Sequence, residues 1–501
     1  MNIKEAKEEI IHTVRAYTAK DEFGNYMIGM THQRPVLLIG PPGIGKTAIM
    51  EQVARECGIG LVAYTITHHT RQSAIGLPMI EHKDFGGKEY PVTEYTMSEI
   101  IGSVYEQMER TGLKEGILFI DEINCVSETL APTMLQFLQG KTFGNHKVPD
   151  GWIIVAAGNP PEYNKSVKEF DIVTLDRVKR IDVTENLPVW KEYAYKAGVH
   201  GSIISYLDVK KENFYTVETT VEGKRFVTAR GWEDLSQMIR ACEKLDIPVT
   251  EGVIGQYLQH PRIAREFSAY MDLYKKYAAD YNVEDILHGK IYPGAEERIS
   301  SAPFDEKLSV LGLLVSALSD GARDCYEWDI YVERLFGILK FVKGQPDLLE
   351  GLSEAFRQEK DKWEKSEHGK TMEKSEIRVA LRLMNTLEEY LRVVREGADF
   401  ETVKNKFNEA VAGRQSMLEQ WKTAFDNSFT FVEGAFGESQ EMVVFITELN
   451  SSHYALWFIG ENGCEKYYQY NQGLLLGERQ SAIMSDIQGI EKELSFLGSG
   501  Q

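Results

Sequence analysis

The chain is poor in cysteine. It has five in 501 residues, Cys57, Cys125, Cys242, Cys325 and Cys464, odd in number and widely scattered, with no two at metal-ligand spacing. A disulfide framework is therefore excluded as the organiser of the fold, and the pattern predicts reduced, mostly buried thiols in a cytoplasmic protein. There is no run of about 18 apolar residues, so no membrane span is expected. The first residues, MNIKEAKEEI, are charged and lack an apolar centre, which argues against a signal peptide. Basic residues are the minority, 56 Lys and Arg against 76 Asp and Glu, for a formal net charge of −20. An acidic surface repels a phosphate backbone, which disfavours nonspecific nucleic-acid binding without excluding a local basic patch. No period of 20 to 50 residues repeats. The apolar content is ordinary, 43%, over a length sufficient for about two to four domains with real cores.

The organising stretch is RPVLLIGPPGIGKT, residues 34 to 47. An apolar β-type run, Val36 to Ile39, feeds Gly40-Pro41-Pro42-Gly43-Ile44-Gly45-Lys46-Thr47, and a helical segment, starting at Ala48, follows directly. This is G-x-x-x-x-G-K-S/T in the strand-loop-helix setting that a phosphate-binding loop requires. Its glycines let backbone N–H groups turn onto phosphate oxygens, and the helix presents the positive end of its dipole to the same anion. Lys46 is expected to reach the β- and γ-phosphates of ATP, and Thr47 to hold Mg²⁺.

About 75 residues on, Gly116-Ile117-Leu118-Phe119-Ile120-Asp121-Glu122 reads as a buried strand that carries two carboxylates to its end. Asp121 would contact the metal or its water, and Glu122 would activate the attacking water. GWIIVAAGNP is a third buried strand, ending at Asn159, whose amide is placed to hydrogen-bond the γ-phosphate or that water. INCVSETLAPTMLQFLQG between them reads as a helix and KTFGNHKV as a short hairpin. Residues 68 to 98 suggest an inserted hairpin, and its His68, His69 and His82, without a third ligand at regular spacing, read as solvated loop residues rather than a metal site. Arg177 and Arg180 straddle the start of a further strand. Thr228 is placed as the N-cap of a helix whose first turn carries Arg230 and whose apolar face is Trp232, Leu235, Met238 and Ile239. From that turn a guanidinium can reach a γ-phosphate.

The ordered set of Gly40 to Thr47, ILFIDE, AAGNP, TLDR and TARGWEDLS resembles an AAA+ ATPase of the MoxR-like group, over roughly residues 1 to 290. The resemblance implies an α/β AAA+ P-loop core with a parallel sheet at 1–190, a small helical lid at 191–280, and, beyond the resemblance, a mostly α-helical C-terminal extension at 281–501. It makes the loop from Gly40 to Ala48 the nucleotide cradle, Asn159 sensor 1, Arg230 sensor 2 and Arg177 the finger that reaches a neighbour's nucleotide. Val178 stands where relatives carry Phe, so Arg180 remains the rival finger. It further implies a homo-oligomeric ring, commonly a hexamer, acting as a chaperone-like remodeller, often for a separate von Willebrand A-type partner. No aromatic-hydrophobic-Gly pore loop occurs between 68 and 98, so remodelling by surface engagement is expected rather than threading.

Beyond about residue 276 the nucleotide motifs end, and the apolar periodicity is helical. The segments 443–449 and 454–459 have strand-like composition but a helical setting, and are read as helices. Asp426 to Thr430 matches a von Willebrand A metal motif superficially, without the preceding buried strand, and is not read as a site. The alternatives are a nucleic-acid motor or GTP-using restriction subunit, disfavoured by the acidic charge, and a nucleotide-gated scaffold with negligible hydrolysis.

Overall fold

The computed structural model of the protein describes residues 1–68, 70–163, 170–221, 223–369 and 372–473. These form two compact units. The first comprises Met1–Val189, Thr228–Gly231 and Glu354–Ala380, and the second Trp190–Val227, Trp232–Ser353 and the chain from Leu381 onward.

In the first unit, α1 (Ile3–Thr18) opens on a capping box in which the Asn2 side chain accepts from Lys4 and Glu5 N–H while the Glu5 carboxylate accepts from Asn2 N–H. Ala6, Ile10 and Val14, four apart, form its buried face. A five-stranded sheet follows, built from β1 (Val36–Ile39), β2 (Gly60–Thr65), β5 (Gly116–Asp121), β8 (Trp152–Gly158) and β9 (Lys179–Asp182) in the order β2-β5-β8-β1-β9. All four pairings are parallel. A parallel sheet is covered on both faces, which is why β5 and β8 read as continuous apolar runs rather than alternating ones. Gly116 is needed for close packing, since a Cβ there would lie 2.6 Å from the Trp152 ring. α2 (Lys46–Cys57) connects β1 to β2 and stops at Gly58, which takes the left-handed conformation.

Between β2 and β5 lie α3 (Arg71–Ile75), the antiparallel hairpin β3 (Pro78–Asp84) and β4 (Glu89–Tyr95), and α4 (Glu99–Thr111), capped by Ser98. Between β5 and β8 lie α5 (Ala131–Gly140) and the hairpin β6 (Thr142–Phe143) and β7 (His146–Lys147). The sequence pattern predicts one helix over 123–140, but the helix begins only at Ala131. Pro132 sits in its first turn, where a missing N–H costs nothing, and residues 122–124 are bonded elsewhere, as described below. α6 (Ile172–Leu175), capped by Asp171, leads into β9. The chain from β1 to β2 runs to one side of β1 and the chain from β8 to β9 to the other. This reversal opens a crevice at the carboxyl end of β1.

The second unit opens with α7 (Leu187–Ala197), whose buried residues begin at Trp190, and α8 (Gly201–Val209), buried from Gly201 to Leu207. The hairpin β10 (Thr216–Thr220) and β11 (Gly223–Val227) precedes α9 (Ala229–Lys244), which buries Trp232, Leu235 and Ile239. The rest is helical: α10 (Glu251–Tyr257), α11 (Pro261–Tyr281), α12 (Val283–Leu287), α13 (Ala295–Ser301), α14 (Phe304–Lys343), α17 (Phe400–Phe436), α18 (Gln440–Ser451) and α19 (His453–Asn462), while α15 (Leu348–Gly369) and α16 (Lys374–Arg395) are divided, Glu354–Ala380 belonging to the first unit. α14 is the spine, packing on α8, α17, α18 and α19. Gly321 lets Trp421 of α17 approach it, since a Cβ there would lie 2.1 Å from the indole. Phe425 stacks on Phe458 at 5.0 Å and Phe429 meets Phe445 edge-on at 5.1 Å, so the apolar stripes close on one another. The strand-like compositions at 443–449 and 454–459 are helical, as expected from their setting. Asp426 to Thr430 lies within α17, where the Ser428 and Thr430 hydroxyls donate to carbonyls of their own helix.

Candidate functional site

The crevice at the end of β1 receives the loop Gly40–Gly45. Gly43 and Gly45 have φ of +75° and +95°, a region closed to ordinary L-residues, and this turns the loop's backbone inward. Gly40 is required for another reason, because a Cβ would meet the Val183 carbonyl at 2.7 Å. Gly40, Pro41 and Ile44 are buried, Pro42, Gly43 and Gly45 half-buried, and Ala48 exposed.

Lys46, the first residue of α2, is only 8% exposed. Its ammonium donates to Gly40 O at 2.7 Å, Pro41 O at 2.8 Å and Asn159 Oδ1 at 2.9 Å. All three acceptors are neutral, and among the described residues no carboxylate is in ion-pair contact with it. Burial lowers its pKa to about 8, with the Asp121 charge opposing, the Arg230 guanidinium adding to the depression and Glu122 opposing more weakly. A buried cation surrounded by loop carbonyls and inward-turned amides is a site with unmet demand for negative charge, which a phosphate chain supplies.

Thr47 Oγ1 donates to Asp121 Oδ2 at 3.0 Å, bringing the hydroxyl and carboxylate predicted as metal ligands into contact. The donor set, one hydroxyl and one carboxylate with room for water and phosphate oxygens, suits Mg²⁺, which keeps most of its ligands from solvent and substrate. The other Asp121 oxygen accepts from Glu122 N–H at 2.9 Å. Glu122 itself has φ of +58°, left-handed for a residue with a Cβ, at a cost of about 1–3 kcal/mol.

The surroundings sustain that strain. Ile123 N–H donates to Ala157 O at 2.9 Å, one rung beyond the end of β5. Asn124, 5% exposed, then donates through its amide to Asn159 O at 2.8 Å and accepts from Asn159 N–H at 3.3 Å. No motif in the sequence singles out Asn124. Its signal was slight, a buried-loop Asn two residues after an acidic pair, and only the strand order shows what it faces.

Arg230 N–H donates to Gly43 O at 3.2 Å, and Thr228 Oγ1 caps the helix start by accepting from Gly231 N–H at 3.2 Å. Arg230 is exposed and close enough to influence Lys46. Contacts thus connect the loop, Lys46, Thr47, Asp121, Glu122, Asn159 and Arg230. Arg177 stands apart, exposed at the end of α6 with its guanidinium donating to Gln139 of α5. Arg180 lies inside β9 and is paired with Asp182, Nε to Oδ1 at 2.9 Å. The side chains of His68 and His69 lie outside the described residues. Among the described residues no cluster of three or more His, Cys, Asp and Glu is arranged to hold a metal.

A P-loop fold with this constellation is the architecture of a nucleotide-binding ATPase module. Residues 36–179 match the family model of the ATPase family associated with various cellular activities, AAA, so the chain carries an AAA ATPase domain. Over 57 residues it is 42% identical to an ATP-dependent zinc metalloprotease, FtsH 1, of Sphaerobacter thermophilus, a stretch covering 11% of this chain and 8% of that protein. A crystal structure of a candidate ATPase from Cytophaga hutchinsonii aligns at 17% identity and a TM-score of 0.21, over 36% of this chain and 54% of that one. The chain therefore spans little of the metalloprotease and about half of the structural neighbour. Among the described residues, no helix is long and apolar enough to cross a membrane.

Proposed function

We propose that this protein hydrolyses ATP with Mg²⁺ in an oligomeric ring of the MoxR-like kind, and uses the cycle to remodel a separate protein partner. The observation that carries the proposal is the buried, carboxylate-free Lys46 ammonium joined to Asn159, beside the Thr47–Asp121 pair. Lys46 and the inward-turned loop amides bind the phosphate chain, and Thr47 and Asp121 hold the metal. Bound Mg²⁺ supplies positive charge against the phosphates. Glu122 accepts a hydrogen bond from the attacking water and takes up its proton, Asn159 orients that water or the γ-phosphate, and Arg230 reads the γ-phosphate from the start of α9.

Arg177 is assigned to the neighbouring subunit's nucleotide. Supporting this, the turn before it leaves Ile172 84% and Val173 57% exposed, apolar surface suited to a second copy of the chain. Arg180 is the weaker alternative because Asp182 already neutralises it. Hydrolysis at a shared site changes an interface, which is how such a ring moves a client. The helices from α14 onward are the docking surface assigned to that client, in the way a von Willebrand A-type partner would use it.

The test is steady-state ATP hydrolysis across protein concentration for wild type, Glu122→Gln and Arg177→Ala. Activity per subunit that rises with concentration and drops about a hundredfold in both variants is expected. Concentration-independent activity that survives Arg177→Ala would refute the shared site.

A further inference from the structure

β5 ends at Asp121, and its pairing with β8 stops at Ile120 opposite Ala156. The two chains nevertheless stay joined for three more residues. Ile123 N–H reaches Ala157 O, and the Asn124 side chain then performs the next rung itself, donating to Asn159 O and accepting from Asn159 N–H. Only one orientation of the Asn124 amide satisfies both bonds, because Asn159 N–H can only donate and its C=O can only accept. The arrangement is tight. A Cβ on Gly158 would meet Asn124 Oδ1 at 2.5 Å, so the strand just before Asn159 must be glycine for the amide to fit. A side-chain amide has thus replaced a strand's main chain, which frees the backbone at Glu122 to turn into its left-handed conformation without detaching the loop from the sheet.

We infer that Asn124 is a positioning residue that makes the proposed catalytic glutamate, Glu122, and the proposed γ-phosphate sensor, Asn159, move as one piece. Loop 122–124 presents Glu122, the end of β8 presents Asn159, and Asn124 joins the two. A change in what Asn159 contacts, through its bond to Lys46, is carried by this amide to the loop that presents Glu122. The inference rests on the reading of the site as an ATPase.

The experiment uses the full chain and two readouts, kcat and KM for ATP, and the affinity ratio of a non-hydrolysable ATP analogue to ADP from a fluorescent nucleotide displacement assay. Asn124→Ala removes both bonds. Asn124→Asp is nearly isosteric, keeps the acceptor for Asn159 N–H, and sets a carboxylate against Asn159 O. Both are expected to lower kcat by about 10- to 100-fold with KM within about threefold, as for a misplaced reacting group. Both should also collapse the analogue-to-ADP ratio towards that of Asn159→Ala. The double variant Asn124→Ala/Asn159→Ala should be slower than Asn159→Ala by less than the factor that Asn124→Ala costs alone, since part of the effect of Asn124 passes through the Asn159 side chain.

A purely structural role would lower the melting temperature and leave kcat per folded molecule and the ratio unchanged, and that result overturns the inference. Multiplying effects in the double variant overturn it as well. Failure of the ATPase reading looks different. If wild type hydrolyses no ATP, or is indifferent to Glu122→Gln, that reading falls while the affinity ratio still decides whether Asn124 acts through Asn159. If wild type binds neither nucleotide, both fall.

Discussion

Lys46 of the first unit and Lys191 of the second are both buried, and the two are treated in opposite ways. Lys191, on α7 of the second unit, has a side chain 7% exposed and is held between two carboxylates, Asp208 of α8 and Glu448 of α18, the latter at 2.5 Å. Tyr195 Oη adds a bond to Glu448 at 2.8 Å. Lys46, equally buried in the first unit, has only neutral oxygens around its ammonium. The first arrangement is over-supplied with negative charge and serves the fold by joining helices distant in sequence. The second is under-supplied, and its deficit is what an incoming phosphate would fill. Burial alone therefore says little about a charged residue's purpose.

The comparison breaks most directly by truncating each lysine. Lys191→Met leaves two carboxylates facing each other under cover, and denaturant unfolding is expected to show a loss of about 3–5 kcal/mol, with ATP hydrolysis per folded molecule within about threefold of wild type. Lys46→Met should do the reverse, abolishing hydrolysis by about a thousandfold while the unfolding midpoint stays level or rises, because an unmatched buried charge has been removed. Loss of stability in Lys46→Met to the extent seen for Lys191→Met would erase the distinction.

A second effect comes from Asp208. Burial first, then repulsion from Glu448, raise its pKa to about 6, with Lys191 opposing. The folded protein thus binds this proton more tightly than the unfolded chain does. The associated stability is present below the unfolded carboxylate pKa and lost as pH rises through about 6. The stability difference between wild type and Asp208→Asn, followed by urea unfolding from pH 4 to pH 7, should therefore change by about 1–3 kcal/mol, moving against wild type as pH increases. A flat difference would mean that Lys191 keeps Asp208 ionised throughout.

Lys46 gives the smaller, complementary signal. Its folded pKa of about 8 means that a substantial fraction is neutral near that pH, and a bound phosphate favours the ammonium. Titration calorimetry of an ATP analogue in buffers of different ionisation enthalpy should show uptake of about half a proton at pH 8, fading towards zero at pH 6.5. The smallest effect is expected for Arg180→Ala. That exposed side chain already pairs with Asp182, so the melting temperature should move by no more than about 1 °C and hydrolysis should be unchanged, in contrast to Arg177→Ala.

Much of the first unit was legible in the chain. A phosphate loop needs its strand, glycines and lysine to be contiguous, so Val36 to Thr47 announces itself, and a parallel strand buried on both faces must be an apolar run, so β5 and β8 do as well. The hairpins at 78–95 and 216–227, and the helical character of the C-terminal stretches, followed from turn residues and periodicity, which are local properties. The helix expected over 123–140 failed in its first half because local propensity competes there with a tertiary demand. Residues 122–124 are claimed by β8 through Ala157 and Asn159, and no local rule registers a partner 35 residues away.

The sequence by itself determined the chemistry on offer: a lysine and threonine at the start of a helix, two acids at the end of one strand and an amide at the end of another. Only the tertiary structure decided their relations. It fixed which strand lies beside which, and so set Asn159 against Lys46 and Asn124 against Asn159. It also left Lys46 among neutral oxygens while surrounding Lys191 with acids contributed by α8 and α18. The physical reason is that hydrogen bonding and charge balance depend on distances of a few ångströms between side chains, and folding sets those distances between residues that the sequence holds far apart.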